Sequence, residues 1–180
     1  FGTEGAYPPF NYIDATGELK GFDIDIARAI CKAQNLECSF VAQDWDGLIP
    51  GLLAGKYDAI IASMSITPER QKAVAFTNPY YRTPIRFVAP RDQPLVISPE
   101  GLKGKRIGAQ RATTSAIFLE ENYRGIVNIK LYDTQENVYL DLLAGRLDGM
   151  LVDAILAYDW INSDAGRNFA FRVETYCVDN

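Results

Sequence analysis

Two stretches half a chain apart decide the predicted fold: LLAGKYDAIIA (Leu52–Ala62) and LLAGRLDGMLV (Leu142–Val152). They match in register at both leucines, the alanine, the glycine, the basic residue and the aspartate. In each stretch a glycine follows a helical pattern, as at a helix end, and an apolar run follows the aspartate. Such a run is typical of a central parallel strand covered by helices. Chance similarity between two helix–strand junctions is the alternative.

Helix and strand patterns alternate along the rest of the chain. Apolar Phe22, Ile26, Ala29 and Ile30 predict a helix over 21–35 with that face buried. The other predicted elements, in chain order, are a helix at 45–54 that Asp44 can cap, a helix after the N-cap Thr67, a short turn after Ser98, a strand at 105–109, a helix at 114–123, a strand at 128–132, a helix from the cap Thr134 to 144, and a helix at 153–163. This alternation predicts an α/β protein with parallel sheets.

A proline-rich segment is interpreted as a crossing between two lobes, because residues 80–94 hold three of the nine prolines. We predict lobe 1 at 1–86 and lobe 2 at 87–176, each a mostly parallel sheet flanked by helices, with 177–180 starting a return crossover. Open α/β sheets bind ligands beyond the carboxyl ends of their strands. We therefore expect a ligand cleft between the lobes.

The composition excludes several functional classes. A count of 18 Lys and Arg against 23 Asp and Glu gives a net charge of −5, which argues against nucleic acid as a partner. The absence of histidine excludes Ser-His-Asp catalysis, Cys-His catalysis and His-ligated zinc. We recognise no nucleophile–base pair, metal cluster or phosphate-binding glycine loop, so we expect no enzyme, cofactor or metal. No apolar run is long enough to span a membrane.

Three cysteines bear on the compartment. Cys31 lies near a helix end and Cys38 begins an alternating stretch, so the two can come within disulfide reach. Two separate buried thiols are the alternative, and two cysteines without histidine are too few ligands for zinc. A disulfide would place the protein in an oxidising compartment. Cys177 is left either as a free thiol or as the mark of a missing segment.

Two strand-to-helix turns carry groups suited to anions. SMSITPER (Ser63–Arg70) places hydroxyls at a strand end and Arg70 at the third position of the next helix. Helix N-termini favour anions, and a guanidinium binds a carboxylate with two hydrogen bonds. QRATT (Gln110–Thr114) is a second such turn, and for both turns a solvated helix face is the alternative. The candidate binding residues in these turns are Ser63, Met64, Ser65, Arg70, Thr113 and Thr114.

Four further residues complete a set for one ligand. Asp153 follows the second repeat strand, where it can accept an ammonium or, alternatively, cap the next helix. Tyr7 and Trp45 lie in loops where aromatic rings can enclose an aliphatic stem, with ordinary packing as the alternative. Glu4 follows the first strand and can pair with a distal cation. Together these residues supply a cationic group for a carboxylate, two acids for two cations and two aromatic rings. This set fits a basic L-amino acid.

Five motifs carry a resemblance to a known family. They are GTEGAYPPF (Gly2–Phe10), GFDID (Gly21–Asp25), WDGLIP (Trp45–Pro50), SMSITPER (Ser63–Arg70) and AGRLD (Ala144–Asp148). In combination they resemble the periplasmic solute-binding proteins of polar amino-acid ABC transporters, nearest to the lysine/arginine/ornithine and histidine binders. The resemblance covers essentially the whole chain.

The resemblance implies a two-lobed, hinge-closing fold that traps an amino acid in the periplasm and delivers it to a membrane ABC permease. It implies that Arg70 and the Thr114 backbone hold the α-carboxylate of that ligand. Asp153, Ser63 and Ser65 would hold its α-ammonium. Because the chain starts without Met or a visible signal peptide, we interpret it as a processed or trimmed product.

The resemblance also assigns the ligand side chain. Tyr7 and Trp45 would enclose it and Glu4 would take its distal charge, while Cys31 and Cys38 match the disulfide pair of that subgroup. Opine binding is an alternative, and a cyclohexadienyl-dehydratase-like enzyme or a sensory domain of a receptor is less favoured. An extra carboxylate on an opine would be repelled by an anionic acid at the α-ammonium position.

Two departures from the family pattern affect these expectations. Family members continue well past Asn180, so lobe 1 would lack a strand and terminal helices, and we expect a dimer or strand exchange through the exposed edge. Arg111 and Ala112 replace a Gln-Gly pair common at this turn, so contacts of the second anion-binding turn are less secure.

Overall fold

A computed structural model describes residues 1–177, which divide into two compact units at Tyr80. Unit 1 comprises residues 1–80 and unit 2 the described residues from 81 onward. The division falls earlier than the predicted lobe boundary after residue 86, because residues 84–90 form a single strand of unit 2. Much of the predicted crossing at 80–94 is therefore a sheet strand. The predicted return crossover at 177–180 lies, except for its first residue, outside the described residues.

Unit 1 combines short strands with short helices. Its elements, in chain order, are β1 (Gly2–Thr3), β2 (Ala6–Tyr7), β3 (Asn11–Ile13), β4 (Leu19–Lys20), α1 (Phe22–Ala33), β5 (Val41–Ala42), a 3₁₀ turn (Trp45–Gly47), α2 (Leu48–Leu53) and α3 (Pro68–Gln71). β1 pairs in parallel with β5, and Gly2 also bridges Ile60 in parallel. β2, β3 and β4 form a separate antiparallel sheet.

The buried face of α1 differs from the predicted one. The buried residues are Asp23, Ile24, Ala27 and Cys31, whereas Phe22 and Ile30 of the predicted face are exposed. The prediction of the buried face from hydrophobicity alone was wrong, because the face that is buried begins with the acidic residue Asp23. Asp23 tolerates burial because its carboxylate accepts several hydrogen bonds inside unit 1.

Unit 2 is a five-stranded sheet flanked by helices. Its elements, in chain order, are β6 (Pro84–Pro90), α4 (Pro99–Leu102), β7 (Arg106–Gln110), α5 (Thr114–Tyr123), β8 (Asn128–Tyr132), α6 (Gln135–Leu143), β9 (Gly149–Asp153), α7 (Ala154–Ile161) and β10 (Phe169–Cys177). The strand order is β10-β6-β9-β7-β8. β7 pairs in parallel with both β8 and β9, while β6 and β10 run antiparallel to their neighbours.

Side chains from alternate positions of these strands build a core on each face of the sheet. On one face Phe87, Ile107 and Leu151 pack with Leu119 of α5, and the cluster reaches Leu102 of α4. On the other face, a side chain added at Gly108 would collide with Val138 of α6 and with Leu147. Helices therefore lie close on both faces, as the apolar strand sequences predict.

A disulfide joins Cys31 and Cys38, with their Cα atoms 6.2 Å apart, which confirms the predicted pairing over two separate thiols. Cys31 lies in α1 and Cys38 in the segment that leads to β5. Within residues 1–177, no helix has the length and apolar character needed to cross a membrane.

Candidate functional site

Three candidate residues of unit 1 follow parallel segments that end at one edge. Glu4 comes directly after β1, and Trp45 begins the turn that follows β5. Ser63 follows the segment that runs parallel to β1, in which the Gly2 N–H donates to the Ala59 carbonyl and the Ile61 N–H donates to the Gly2 carbonyl. Parallel segments bring the residues after their carboxyl ends to the same edge, where α/β proteins bind ligands.

Arg70 is held by three contacts within unit 1. The Thr67 hydroxyl caps α3 by accepting from the Arg70 N–H at 3.2 Å, as predicted from Thr-Pro. The Arg70 Nη1 donates to the Ser65 carbonyl at 2.7 Å, and its Cζ lies 5.3 Å from the centre of the Trp45 ring. The carbonyl and the aromatic face fix the guanidinium plane, which is the arrangement needed to meet a carboxylate with paired N–H donors. The structure thus brings Trp45, Ser65 and Arg70 together.

The other predicted residues of unit 1 are mostly buried. Glu4 and Tyr7 are 7% and 8% exposed, and the Tyr7 ring lies 6.1 Å from that of Phe10. Met64 is predicted from the sequence to bind the ligand. In the structure it packs against the core cluster that contains Trp45 and Leu48.

Sequence reasoning missed a buried hydrogen-bond cluster centred on Asp23, which is fully buried. Its carboxylate accepts from Asn11 Nδ2 at 2.8 Å, from Ser63 Oγ at 2.9 Å and from the Tyr80 hydroxyl at 2.6 Å. The Gly5 N–H donates to Asn11 Oδ1 at 2.8 Å. Burial raises the pKa of Asp23, and the hydrogen bonds to its carboxylate oppose that rise. The available signal was an aspartate at a core position of a helix.

Ser63, which belongs to this cluster, has an uncommon backbone conformation. Its φ angle is 53°, in the left-handed region that few residues other than glycine adopt. Its N–H donates to the Tyr80 oxygen at 3.3 Å, so the backbone N–H and the hydroxyl of Ser63 both engage the cluster. Such conformations persist where the surroundings over-determine them, and they are enriched at functional sites.

In unit 2 the second anion-binding turn is built around the N-cap of α5. Thr113 Oγ1 accepts from the Ala116 N–H at 3.2 Å and donates to the Gln110 carbonyl at 2.7 Å. With its only proton used, that hydroxyl has no donor left for a carboxylate. Thr114 occupies the first helical position, whose N–H has no acceptor within the helix. The backbone of Thr114 therefore suits a carboxylate better than the Thr113 side chain does.

The same turn contains the two residues that depart from the family pattern. Ala112 has a φ angle of 56°, a left-handed conformation that favours glycine. Arg111 forms an ion pair with Asp133, with 2.8 Å between Arg111 Nη2 and Asp133 Oδ1. The Arg111 charge thus has a protein partner on the surface of unit 2.

Asp153 ends β9 and stands at the N-cap position of α7. Among the described residues, its side chain accepts no capping hydrogen bond from the helix. The Ile155 N–H instead donates to Thr83 Oγ1 at 3.4 Å. The capping alternative for Asp153 is therefore wrong. β7 and β9 are parallel neighbours, so Asp153 at the end of β9 and Thr114 after β7 belong to strands that end at the same edge of the unit 2 sheet.

The described part of the chain contains no candidate metal site. Residues 1–177 contain no group of three or more His, Cys, Asp or Glu side chains placed to hold a metal ion.

A family described as bacterial extracellular solute-binding proteins, family 3, matches residues 1–170. The chain belongs to this family. The predicted class of fold, α/β with the two lobes of periplasmic amino-acid-binding proteins, is confirmed by the solved structures that it resembles.

Two relatives of the chain are named as amino-acid-binding proteins. An L-arginine-binding protein of Pseudomonas aeruginosa is 41% identical over 172 residues, and so is the lysine/arginine/ornithine-binding periplasmic protein of Escherichia coli. Each alignment covers 94% of this chain and 66% of the relative, so the chain spans just under two thirds of their length. A solved periplasmic binding protein of Salmonella typhimurium, described as highly arginine-specific, has a TM-score of 0.89 and 34% identity, covering 99% of this chain and 80% of that one.

Proposed function

We propose that the protein binds a basic L-amino acid, namely arginine, lysine or ornithine, and delivers it to an ABC permease. The observation that carries this proposal is the Arg70 guanidinium, oriented by the Ser65 carbonyl and the Trp45 ring at the same edge as Glu4. A cation fixed for a carboxylate, together with a buried acid for a second cation, matches a zwitterion with a positive tail. The names of the relatives support the same ligand class.

Within this proposal each predicted site residue has a role. Arg70 and the Thr114 N–H bind the α-carboxylate, and Asp153 with Ser63 and Ser65 binds the α-ammonium. Tyr7 and Trp45 enclose the side chain of the ligand, and Glu4 binds its distal cation. Met64 and Thr113 support these residues, because the first packs against the core and the second caps α5.

The proposed compartment is the periplasm. The Cys31–Cys38 disulfide is the kind of bond that persists in oxidising compartments, and the Escherichia coli relative is named as periplasmic. The net charge of −5 fits a partner that is not nucleic acid. Dimerisation or strand exchange, predicted from the sequence, stays a prediction.

A binding role is favoured over an enzymatic one. The family consists of solute-binding proteins, and the candidate site combines oriented hydrogen-bond donors and acceptors. Opines are the alternative ligands. Their extra carboxylate would face the Asp153 side chain under the roles proposed above and would be repelled by it.

The experiment is a thermal-shift screen of the chain with the twenty amino acids, ornithine and two opines. A ligand that binds only the folded state raises the melting temperature in proportion to the logarithm of its concentration. We expect arginine, lysine and ornithine to raise it most. A larger shift with an opine, or no shift with any amino acid, would contradict the proposal.

A further inference from the structure

The proton positions around Asp23 follow from two backbone donors. The Gly5 N–H can only donate, so Asn11 Oδ1 accepts from it and Asn11 Nδ2 must face Asp23. The Ser63 N–H likewise donates to the Tyr80 oxygen, so the Tyr80 proton points elsewhere. It points to Asp23 Oδ1, which lies 2.6 Å away.

The Ser63 hydroxyl is oriented by the same carboxylate. Its oxygen lies 3.1 Å from Asp23 Oδ1 and 2.9 Å from Oδ2, and an ionised carboxylate offers only acceptors. The single proton of Ser63 is therefore donated to Asp23. The Ser63 oxygen keeps its lone pairs. These can accept a hydrogen bond from an ammonium group and repel a carboxylate.

From this geometry we infer that Asp23 is a specificity-determining positioning residue, which makes the Ser63 oxygen an acceptor for the α-ammonium of the ligand. The inference rests on the proposed function, since it concerns the same ligand. Asp23 does not touch the ligand in this role. It acts through Ser63, whose left-handed backbone is fixed through the Tyr80 hydroxyl.

The placement of Asp23 is itself determined by local structure. The Asp23 N–H donates to the Phe10 carbonyl at 2.8 Å, in the first turn of α1. Gly21 allows that approach, because a Cβ added there would overlap the Phe10 carbonyl oxygen. The carboxylate thus enters the cluster from a fixed helix start.

The test compares two ligands that differ only in the α-amino group, L-arginine and 5-guanidinopentanoate, by calorimetric titration of the chain. For the wild type we expect arginine to bind at least tenfold more tightly, as for a hydrogen bond to a charged group. Asp23→Asn gives Ser63 and Tyr80 a carboxamide N–H, which reverses the proton arrangement. We expect this variant to lose about tenfold in arginine affinity and to keep its affinity for the deamino ligand.

Asp25→Asn is the matched control, because Asp25 is an exposed acid in the same helical turn. We expect it to leave both affinities unchanged. Equal losses for both ligands in Asp23→Asn would assign Asp23 a merely structural role and overturn the inference, as would unchanged discrimination. Failure of the wild type to bind any amino acid would instead contradict the proposed function.

A second measurement covers the case in which Asp23→Asn does not fold. In proton NMR spectra of the unliganded wild type, the Ser63 hydroxyl proton should exchange slowly with water and show a cross-peak to the Asp23 β-protons. A rapidly exchanging Ser63 hydroxyl without that cross-peak would overturn the inference without reference to a ligand.

Discussion

At the scale of single residues, the candidate site depends on neighbours that are distant in sequence. Trp45 and Ser65 orient Arg70, and Asp23 orients Ser63. The sequence predicted Arg70, Ser63 and Ser65 from local turn chemistry. It could not place Asp23 beside Ser63, because that pairing depends on how α1 packs within unit 1.

Glu4 gives a prediction about ligand charge. In Glu4→Gln we expect arginine and lysine affinities to fall by about tenfold or more, while glutamine affinity changes less than about threefold, since only the former carry a distal cation. Calorimetric titration with the three amino acids measures this. Glu18→Gln, at an exposed acid paired with Lys20, is the control. Equal losses for all three ligands would remove Glu4 from the side-chain pocket.

Ala112 gives a prediction about backbone strain. Its left-handed φ angle of 56° disfavours a Cβ, so Ala112→Gly should stabilise the protein by about 1 kcal/mol. The same substitution at Ala116, inside α5, should destabilise it by about 1 kcal/mol. Urea unfolding followed by circular dichroism compares the two variants. A destabilised Ala112→Gly would show that the turn is not strained.

At the scale of helices and strands, local signals predicted well and packing signals less so. Thr67 and Thr134 each cap a helix through a side-chain hydrogen bond, as the sequence predicts, because capping needs only residues three apart. Ser98, predicted to start a short turn, caps a helix in the same way. The predicted cap Asp44 forms no side-chain capping bond with the turn that follows it. The bounds of β8 agree with prediction. The buried face of α1 and the strand at Pro84–Pro90 were missed, because both depend on neighbouring segments.

The repeated aspartate gives a prediction at this scale. Asp148 accepts from the Arg106 N–H at 2.7 Å and pairs with its guanidinium, joining the start of β9 to β7. Those hydrogen bonds lower the pKa of Asp148. A lowered pKa stabilises the folded state above the ordinary aspartate pKa, and the contribution is lost as pH falls through the folded-state value.

We therefore expect Asp148→Asn to reduce the free energy of unfolding at pH 7 and to differ progressively less from the wild type as pH falls below about 4. Urea unfolding at several pH values measures the difference. Asp58→Asn, at the exposed aspartate of the first repeat, is the control and should have a small effect. A deficit of Asp148→Asn that is constant with pH would contradict an electrostatic role.

At the scale of the whole molecule, the disulfide contributes to stability through the unfolded chain. It closes a loop between residues separated by seven positions. In the chain-entropy model, removing it with Cys31→Ser and Cys38→Ser should cost about 2–3 kcal/mol. Chemical denaturation of the double variant beside the oxidised wild type tests this value. Equal stability of the two proteins would show that the disulfide does not stabilise the fold.

The proposed function depends most on Arg70, as the group that binds the ligand carboxylate. The most direct measurement is calorimetric titration of L-arginine into the wild-type chain and into Arg70→Ala, with Lys72→Ala as a control at an exposed cation near the end of α3. We predict saturable binding by the wild type and Lys72→Ala, and a loss of roughly 100-fold or more in Arg70→Ala. Unchanged arginine affinity in Arg70→Ala would contradict the role of Arg70 in binding the ligand carboxylate.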